Sequence, residues 1–167
     1  MPYRVLVSDP LAQEAIDILQ SHSDVQVDVK TKLPPDQLLD IIGQYDALLI
    51  RSETRVTKEV LEKAARLKVV GRAGVGLDNV DIAAATQRGV IVMNTPGGNT
   101  ISTAEHTWAL LLSLSRNIAP ANISLREGKW DRKKYTGTEL FGKTLGIIGL
   151  GRIGSVVGNR ALAFGMK

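Results

Sequence analysis

Apolar residues recur in short runs along the first part of the chain. The runs are rich in Val, Ile and Leu, and their first residues lie 21 or 22 positions apart. Short apolar runs bounded by polar residues are typical of buried β-strands. The predicted strands are Arg4–Val7, Val25–Val29, Ala47–Ile50, Lys68–Val70 and Val90–Met93.

Helical patterns fill the intervals between these strands, as with Ile16 and Leu19 three positions apart on one face. The first helix is predicted to begin at Asp9, as a cap before Pro10, and the second at Pro34 or Pro35. Thr57 and Asp81 are predicted to cap the third and fourth helices, and Gly89 to end the fourth. Strands that alternate with helices at this spacing form βαβ units. We therefore predict an α/β domain with an open five-stranded parallel sheet over residues 1–98.

The regular spacing breaks at Asn94–Asn99, which is the richest turn signal in the chain. A second domain is therefore predicted over residues 99–167. Its predicted elements are a long helix over Ile101–Ile118 that stops at Pro120, a helix over Asn122–Glu127, a polar loop over Lys129–Thr138, a strand over Thr144–Ile148 and a helix over Ser155–Phe164.

The composition is that of a globular protein, with 44% hydrophobic and 23% charged residues, and no cysteine is available for disulfides or thiolate metal sites. No apolar run approaches the ~20 residues of a membrane span, and no signal peptide precedes the first strand. We therefore expect a cytoplasmic protein without membrane contact. The formal charge of +4 is spread along the chain, so we expect no nucleic-acid binding and interpret Lys129–Lys134 as a solvated loop.

A glycine-rich loop follows the last predicted strand. Gly149, Gly151 and Gly154 have the spacing G-x-G-x-x-G, and a helix is predicted to follow them. In a dinucleotide site these glycines permit the tight turn, the approach of a pyrophosphate and close helix packing, while Arg152 offers an ionic contact. An acidic residue expected about 20 positions further on, which would choose between NAD and NADP, would fall after Lys167.

Two segments resemble the D-isomer-specific 2-hydroxyacid dehydrogenase family. They are Val69–Asp81, and Asn94–Pro96 together with Ser102–His106. Three more resemble the branch of that family that acts on 3-phosphoglycerate: Ile50–Ser52, Lys129–Lys134 and Gly137–Leu140. The resemblance covers essentially the whole chain in order.

The resemblance implies a flavodoxin-like substrate domain over residues 1–98, followed by the truncated beginning of a Rossmann NAD-binding domain over residues 99–167. Substrate and cofactor would meet in the cleft between the domains, where a hydride passes between the nicotinamide and the hydroxyl-bearing carbon. It further implies NAD as the cofactor, a small anionic substrate, and a homodimer or tetramer.

The resemblance also assigns site residues. The substrate-binding candidates are Arg51, Ser52, Arg72, Gly74, Val75, Gly76 and Arg132, the last reaching the active site of a partner subunit. The cofactor-binding candidates are Val75, Gly149, Gly151, Arg152, Ile153 and Gly154. An arginine fork suits a phosphate or carboxylate. An alternative interpretation is that Arg51 and Arg72 are solvated charges and that Gly74 and Gly76 only form turns.

The catalytic Arg, Glu and His of the family are expected beyond Lys167, and neither His22 nor His106 matches the catalytic histidine. We therefore expect no turnover by these 167 residues alone. Three alternatives remain open: a dehydrogenase for another D-2-hydroxyacid such as glycerate or glyoxylate, a non-catalytic NAD-sensing protein, and a substrate-like domain without cofactor affinity.

Overall fold

The computed structural model describes residues 2–167, which divide between Gly98 and Asn99 into two compact units. Within these residues the first unit contains five strands, four α-helices and one 3-10 helix, and the second contains three α-helices. No helix of this described part is both long enough and apolar enough to cross a membrane.

The first unit is built on one parallel sheet. The strand order is β2-β1-β3-β4-β5, which is that of flavodoxin-like doubly wound folds, and the predicted five-stranded parallel sheet is confirmed. The strands are β1 Tyr3–Val7, β2 Val25–Val29, β3 Ala47–Ile50, β4 Val69–Arg72 and β5 Ile91–Met93.

Helices connect the strands. They are α1 Gln13–Gln20, α2 Pro35–Ile41 with a 3-10 turn over Ile42–Gln44, α3 Lys58–Lys63 and α4 Ile82–Gln87. The predicted caps of α3 and α4 are confirmed, because Thr57 accepts from the Val60 N–H at 3.3 Å and Asp81 from the Ala84 N–H at 2.9 Å. The predicted start of α1 at Asp9 is wrong, since Ala12 precedes the helix and the Asp9 carboxylate binds elsewhere.

Alternate strand residues face opposite sides of this sheet. Leu6, Leu48 and Ile50 are completely buried in a core that includes side chains of α2, α3 and α4. On β5 at the sheet edge, Ile91 is 63% and Met93 59% exposed.

The second unit consists of α5 Thr100–Ser115, α6 Ile118–Arg126, α7 Arg152–Ala163 and their connections. Its core centres on Trp108, whose indole Nε1–H donates to the Val157 carbonyl at 3.3 Å and whose ring stacks on Phe164 at 4.7 Å between centroids. The aromatic stack and the buried indole bond join α5 to α7.

Several predicted helix boundaries in this unit are wrong. The second helix begins at Ile118 instead of Asn122, and the last begins at Arg152 instead of Ser155. The long helix ends at Ser115 instead of Ile118, because Asn117 takes a left-handed conformation with φ 53°, which asparagine tolerates well. Pro120 does not stop a helix; it lies in the first turn of α6, where a missing backbone N–H costs no helical hydrogen bond.

The predicted strand Thr144–Ile148 is not formed as a strand in the described part of the chain. A strand requires a pairing partner, and two backbone hydrogen bonds are the pairing that this segment makes in the described chain. The Leu145 N–H donates to the Lys167 carbonyl and the Lys167 N–H to the Lys143 carbonyl, both at 2.8 Å.

Candidate binding sites at the sheet edge and the glycine loop

Strand order reverses between β1 and β3, because β1 leads to β2 on one side while β3 lies on the other. In open α/β sheets ligands bind beyond the carboxyl ends of the strands at such a point. Ser8 and Asp9 follow β1 there, and Arg51 and Ser52 follow β3. The first two are 1% exposed, whereas the second two are exposed.

Asp9 binds the loop that follows β3, residues 51–56, which we name the β3 loop. Its carboxylate accepts from the backbone N–H groups of Arg51 at 2.6 Å, Glu53 at 3.2 Å and Thr54 at 3.0 Å. The Thr54 hydroxyl contacts the same carboxylate and lies 2.9 Å from the Ser8 hydroxyl. A buried carboxylate needs such donors, so Asp9 fixes the backbone of the β3 loop.

Asn79 binds the same loop from the side of β4. Its side-chain amide donates to the carbonyls of Arg51 at 2.9 Å and Thr54 at 2.6 Å. Val56 and Val80 form a parallel bridge beside these bonds. The backbone of Arg51 is therefore bound on both sides while its side chain stays exposed, and within residues 2–167 it has no acidic partner.

Arg72 ends β4 and is enclosed by the loop that follows it, residues 73–80, which we name the β4 loop. Its side chain is 10% exposed, and Nη1 donates to Asp78 Oδ1 at 2.7 Å. A Cβ on Gly74 would lie 3.4 Å from Arg72 Nε, and one on Gly76 3.3 Å from Nη1. Gly76 therefore lets the backbone approach the guanidinium closely, whereas a Cβ at position 74 would make an ordinary van der Waals contact with Nε. The Arg72 guanidinium holds the pKa of Asp78 below its ordinary value.

Asn94 and Thr95 orient the β4 loop. The Asn94 side-chain amide donates to the Val75 carbonyl at 2.7 Å, and Thr95 donates to the Gly74 carbonyl from its backbone N–H at 2.9 Å. The Gly74 N–H is already bonded to the Arg72 carbonyl at 2.9 Å. The N–H groups of Val75 and Gly76 have no acceptor within the described residues, so these two can bind an anion.

The second unit carries the glycine loop. Gly149 has φ +96°, a conformation that favours glycine, and a Cβ on Gly154 would lie 2.2 Å from the Gly149 carbonyl oxygen. A Cβ on Gly151 would meet no atom within 4 Å, so the loop is open to a ligand there. α7 begins at Arg152, and the N–H groups of residues 152–154 have no acceptor in the described chain.

The remaining candidates are placed as follows. Ile153 is half-buried in the first turn of α7, and Arg152 is exposed. Arg132 is exposed in the loop after α6, at a cavity of about 270 Å³ that Trp130 and Tyr135 also line. His22 and His106 are both exposed.

Reasoning from the sequence missed Asp9, Asn79 and Asn94 as residues of this edge. Each acts on a residue far along the chain, such as Arg51 from position 9, so no local pattern reveals the contact. One signal was available for two of them, since short polar residues directly follow two apolar strands, Ser8 and Asp9 after β1 and Asn94 after β5. The carboxyl ends of parallel strands meet at one edge, so such residues lie together.

The family model for the catalytic domain of D-isomer specific 2-hydroxyacid dehydrogenases matches residues 5–159. D-3-phosphoglycerate dehydrogenase from Synechocystis sp. is 51% identical over 98% of this chain, which covers 29% of that enzyme. Hydroxypyruvate reductase from Thermotoga maritima is 48% identical over 99% of this chain and 54% of that enzyme. The chain thus spans from 29% to 54% of the length of these two curated relatives.

Two solved structures show the same fold. The TT0316 protein from Thermus thermophilus superposes with a TM-score of 0.88 at 40% identity, over 98% of this chain and 54% of that one. D-lactate dehydrogenase from Aquifex aeolicus, complexed with NAD and lactic acid, gives a TM-score of 0.86 at 28% identity, over 98% of this chain and 49% of that one.

Proposed function

Because this chain belongs to the D-isomer specific 2-hydroxyacid dehydrogenase family, we propose that it is part of an NAD-dependent 3-phosphoglycerate dehydrogenase. In this proposal the first unit binds the substrate, and the second unit begins the cofactor domain. The reaction oxidises the D-2-hydroxyl of 3-phosphoglycerate to the ketone of 3-phosphohydroxypyruvate, the step that opens a route to serine. The catalytic Arg, Glu and His are not assigned to any of these 167 residues.

One observation carries the choice of a phosphorylated substrate: the exposed Arg51, whose backbone is bound on both sides at the point where strand order reverses. A guanidinium on a fixed backbone loses less entropy on binding a phosphate, and its fork matches two phosphate oxygens. In the proposal Ser52 assists at the phosphate as a neutral donor, and Arg72 is the second cation.

The substrate carboxylate is assigned to the β4 loop. The N–H groups of Val75 and Gly76 support this assignment, since they lack acceptors in the described chain and Asn94 fixes the neighbouring carbonyl. Two successive N–H groups of this kind form an anion-binding concavity. Gly74 supplies no donor to this concavity, because its own N–H donates to the Arg72 carbonyl.

For the cofactor, Gly149–Gly154 fits a dinucleotide. The open space at Gly151 and the free N–H groups of residues 152–154 are the features that a pyrophosphate requires. Arg152 and Ile153 are the proposed pyrophosphate contacts, and Val75 is proposed to lie near the nicotinamide. When bound, NAD would supply the hydride acceptor, while the groups of this chain bind and orient the two ligands.

One relative supports a different substrate for this chain. The Thermotoga maritima enzyme, which is 48% identical, is a hydroxypyruvate reductase. A substrate without phosphate, such as glycerate or glyoxylate, is therefore the alternative within the same chemistry.

The test is an oxidation assay on the longest translated product that contains these residues. NADH formation is followed with 3-phosphoglycerate and, in parallel, with glycerate. We expect a higher kcat/KM for 3-phosphoglycerate; a preference for glycerate would select the alternative, and no NADH with either would reject the proposal. The 167 residues alone are expected to form no NADH in the same assay.

A further inference from the structure

The ion pair between Arg72 and Asp78 is strongly asymmetric. The Arg72 side chain is 10% exposed, whereas that of Asp78 is 85% exposed. The arginine is thus enclosed by the β4 loop while its partner reaches it from the solvent side. The Asp78 carboxylate stays in contact with water while it pairs with Arg72, so water can replace the contact on its side.

The two ends of the Arg72 guanidinium differ in access. Nε is buried against Gly74 and has no acceptor within the described residues, so the edge that carries Nε is closed to a ligand. Bidentate binding of an external oxyanion must therefore use Nη1 and Nη2. Asp78 occupies Nη1 at 2.7 Å, which is the position that such an oxyanion requires.

We infer that Asp78 is an internal competitor for the anion site at Arg72, and that its carboxylate must leave Nη1 before an external phosphate or carboxylate binds there. This inference rests on the part of the proposed function that assigns the anionic group of the substrate to Arg72. It gives Asp78 a role in setting affinity. The ordered β4 loop supports it, since Asn94 and Thr95 fix the backbone around Arg72 without using the guanidinium.

Competition by an internal carboxylate raises the apparent dissociation constant of every anion by the same factor. The apparent dissociation constant is the intrinsic one divided by the fraction of molecules in which Nη1 is free. That fraction is a property of the protein alone. Removal of the Asp78 carboxylate therefore strengthens a monoanion as well as a dianion, and the dianion gains somewhat more because the displaced carboxylate also repels it.

The experiment compares the parent chain with Asp78→Asn. Sulfate serves as the dianion and acetate as the monoanion, each titrated at constant ionic strength while the Arg72 Nε–H signal is followed by NMR. Asp36→Asn is the matched control, because Asp36 is an exposed carboxylate of the same unit and makes no hydrogen bond in the described chain. It removes the same charge without touching Arg72.

We expect the dissociation constant of acetate to fall about two- to fivefold in Asp78→Asn and that of sulfate to fall at least as much, while both stay unchanged in Asp36→Asn. Unchanged or weaker binding of both ions in Asp78→Asn would overturn the inference, because Asp78 would then position Arg72 for its ligand. A gain for sulfate alone would also overturn it, since this indicates repulsion across space without displacement.

A second measurement needs no variant and decides the question if Asp78→Asn fails to fold. The carboxyl carbon of Asp78 is titrated in the parent chain with and without sulfate. The groups that face it are Arg72 and, through space, Arg55, and both lower its pKa. Displacement predicts that sulfate raises the pKa of Asp78, while an unchanged pKa at saturating sulfate contradicts displacement.

The outcome of these ion-binding experiments does not depend on the outcome of the oxidation assay. Ion binding at Arg72 involves neither NAD nor turnover, so a dehydrogenase of a different hydroxyacid leaves the competition intact. Conversely, a confirmed phosphoglycerate dehydrogenase in which Asp78→Asn binds both ions no better leaves only this inference overturned.

Discussion

The carboxylate of Asp9 accepts a hydrogen bond from the backbone N–H of Arg51 at 2.6 Å, so the end of β1 fixes the backbone at the end of β3. Asp9 has no cationic partner in the described chain; its buried charge is satisfied by backbone N–H groups and by Thr54. The arrangement orders the loop through its backbone, so the Arg51 guanidinium has no ion-pair partner in the described chain and is available to a ligand.

Replacement of Asp9 by Asn tests this arrangement. The amide of Asn has one acceptor oxygen, and its NH₂ group would face N–H donors that the carboxylate now accepts. We expect Asp9→Asn to lower the free energy of unfolding by about 2–3 kcal/mol, because bonds to a charged acceptor are lost and donors stay buried. Urea denaturation measures this as a lower midpoint at unchanged slope. A shift no larger than that of the exposed control Asp36→Asn would contradict the role of Asp9.

The sequence predicted the sheet well because its signal is local. Each of the five apolar runs marks a strand, and Thr57 and Asp81 cap helices through bonds three positions away. Aspartate is a common helix cap, so the sequence alone does not show whether Asp9 caps a helix or binds a distant loop. Its true partners lie 42 to 45 positions away, and only the folded sheet brings them together.

The same limit applies to the site residues. Arg72 is easily selected as a cation at a strand end, yet its pairing with Asp78 and its enclosure by Gly74 depend on loop geometry. The strand predicted over Thr144–Ile148 shows the converse. Its apolar pattern is correct for a buried strand, but a strand also requires a paired neighbour, and pairing is a property of the fold.

The proposed phosphate role of Arg51 predicts a selective kinetic effect. Arg51→Gln removes the charge but keeps the hydrogen bonds of the backbone to Asp9 and Asn79. In the full-length product we expect the KM for 3-phosphoglycerate to rise about 10- to 100-fold, as for a lost charged hydrogen bond. The KM for glycerate, which has no phosphate, is expected to change less than about twofold. Equal effects on both substrates would show that Arg51 does not bind the phosphate.

Acid is expected to destabilise the first unit mainly through two carboxylates, since the third with a lowered pKa, Asp78, is 85% exposed. The Arg4 backbone N–H, with help from Arg66, holds the pKa of Asp46 below its ordinary 3.8, and the Tyr45 hydroxyl, with help from Arg4, does the same for Asp28. A lowered folded-state pKa contributes stability above the unfolded pKa, and that stability is lost as pH falls through the folded value. The urea midpoint should therefore fall below pH 3.8, the ordinary aspartate value.

Asp46→Asn provides the control for this pH dependence. The variant should be less stable than the parent near neutral pH and should show a shallower fall in the urea midpoint toward pH 2, because one of the two linked carboxylates is absent. Asp36→Asn, which alters an exposed carboxylate without hydrogen bonds in the described chain, should follow the parent curve. Parallel curves for Asp46→Asn and the parent would contradict the linkage.

The proposed role of Arg132 in a partner subunit predicts complementation between inactive variants. Arg132→Ala and Arg51→Gln are each expected to be nearly inactive at low 3-phosphoglycerate in the full-length product. In a mixed dimer, the Arg132→Ala subunit keeps its own Arg51 and receives Arg132 from the other subunit, so one site is complete. Co-expression should therefore restore up to about half of the parental activity per mixed dimer. If Arg132 acts within its own subunit, no mixed dimer regains activity.

Two glycines of the glycine loop have different expected roles, Gly154 in packing and Gly151 in cofactor binding. A Cβ at position 154 would lie 2.2 Å from the Gly149 carbonyl oxygen, so we expect Gly154→Ala to destabilise the second unit by about 3 kcal/mol through overpacking. A Cβ at position 151 meets nothing within 4 Å, and φ −86° suits alanine, so Gly151→Ala should cost less than about 1 kcal/mol.

NAD affinity should nevertheless fall in Gly151→Ala, because the added methyl group enters the space proposed for the pyrophosphate. Calorimetric titration with NAD and urea denaturation of the same full-length variants separate the two effects. The expected pattern is lost stability in Gly154→Ala, and lost NAD affinity with preserved stability in Gly151→Ala. Undiminished NAD affinity in a stable Gly151→Ala would show that the dinucleotide does not approach this backbone.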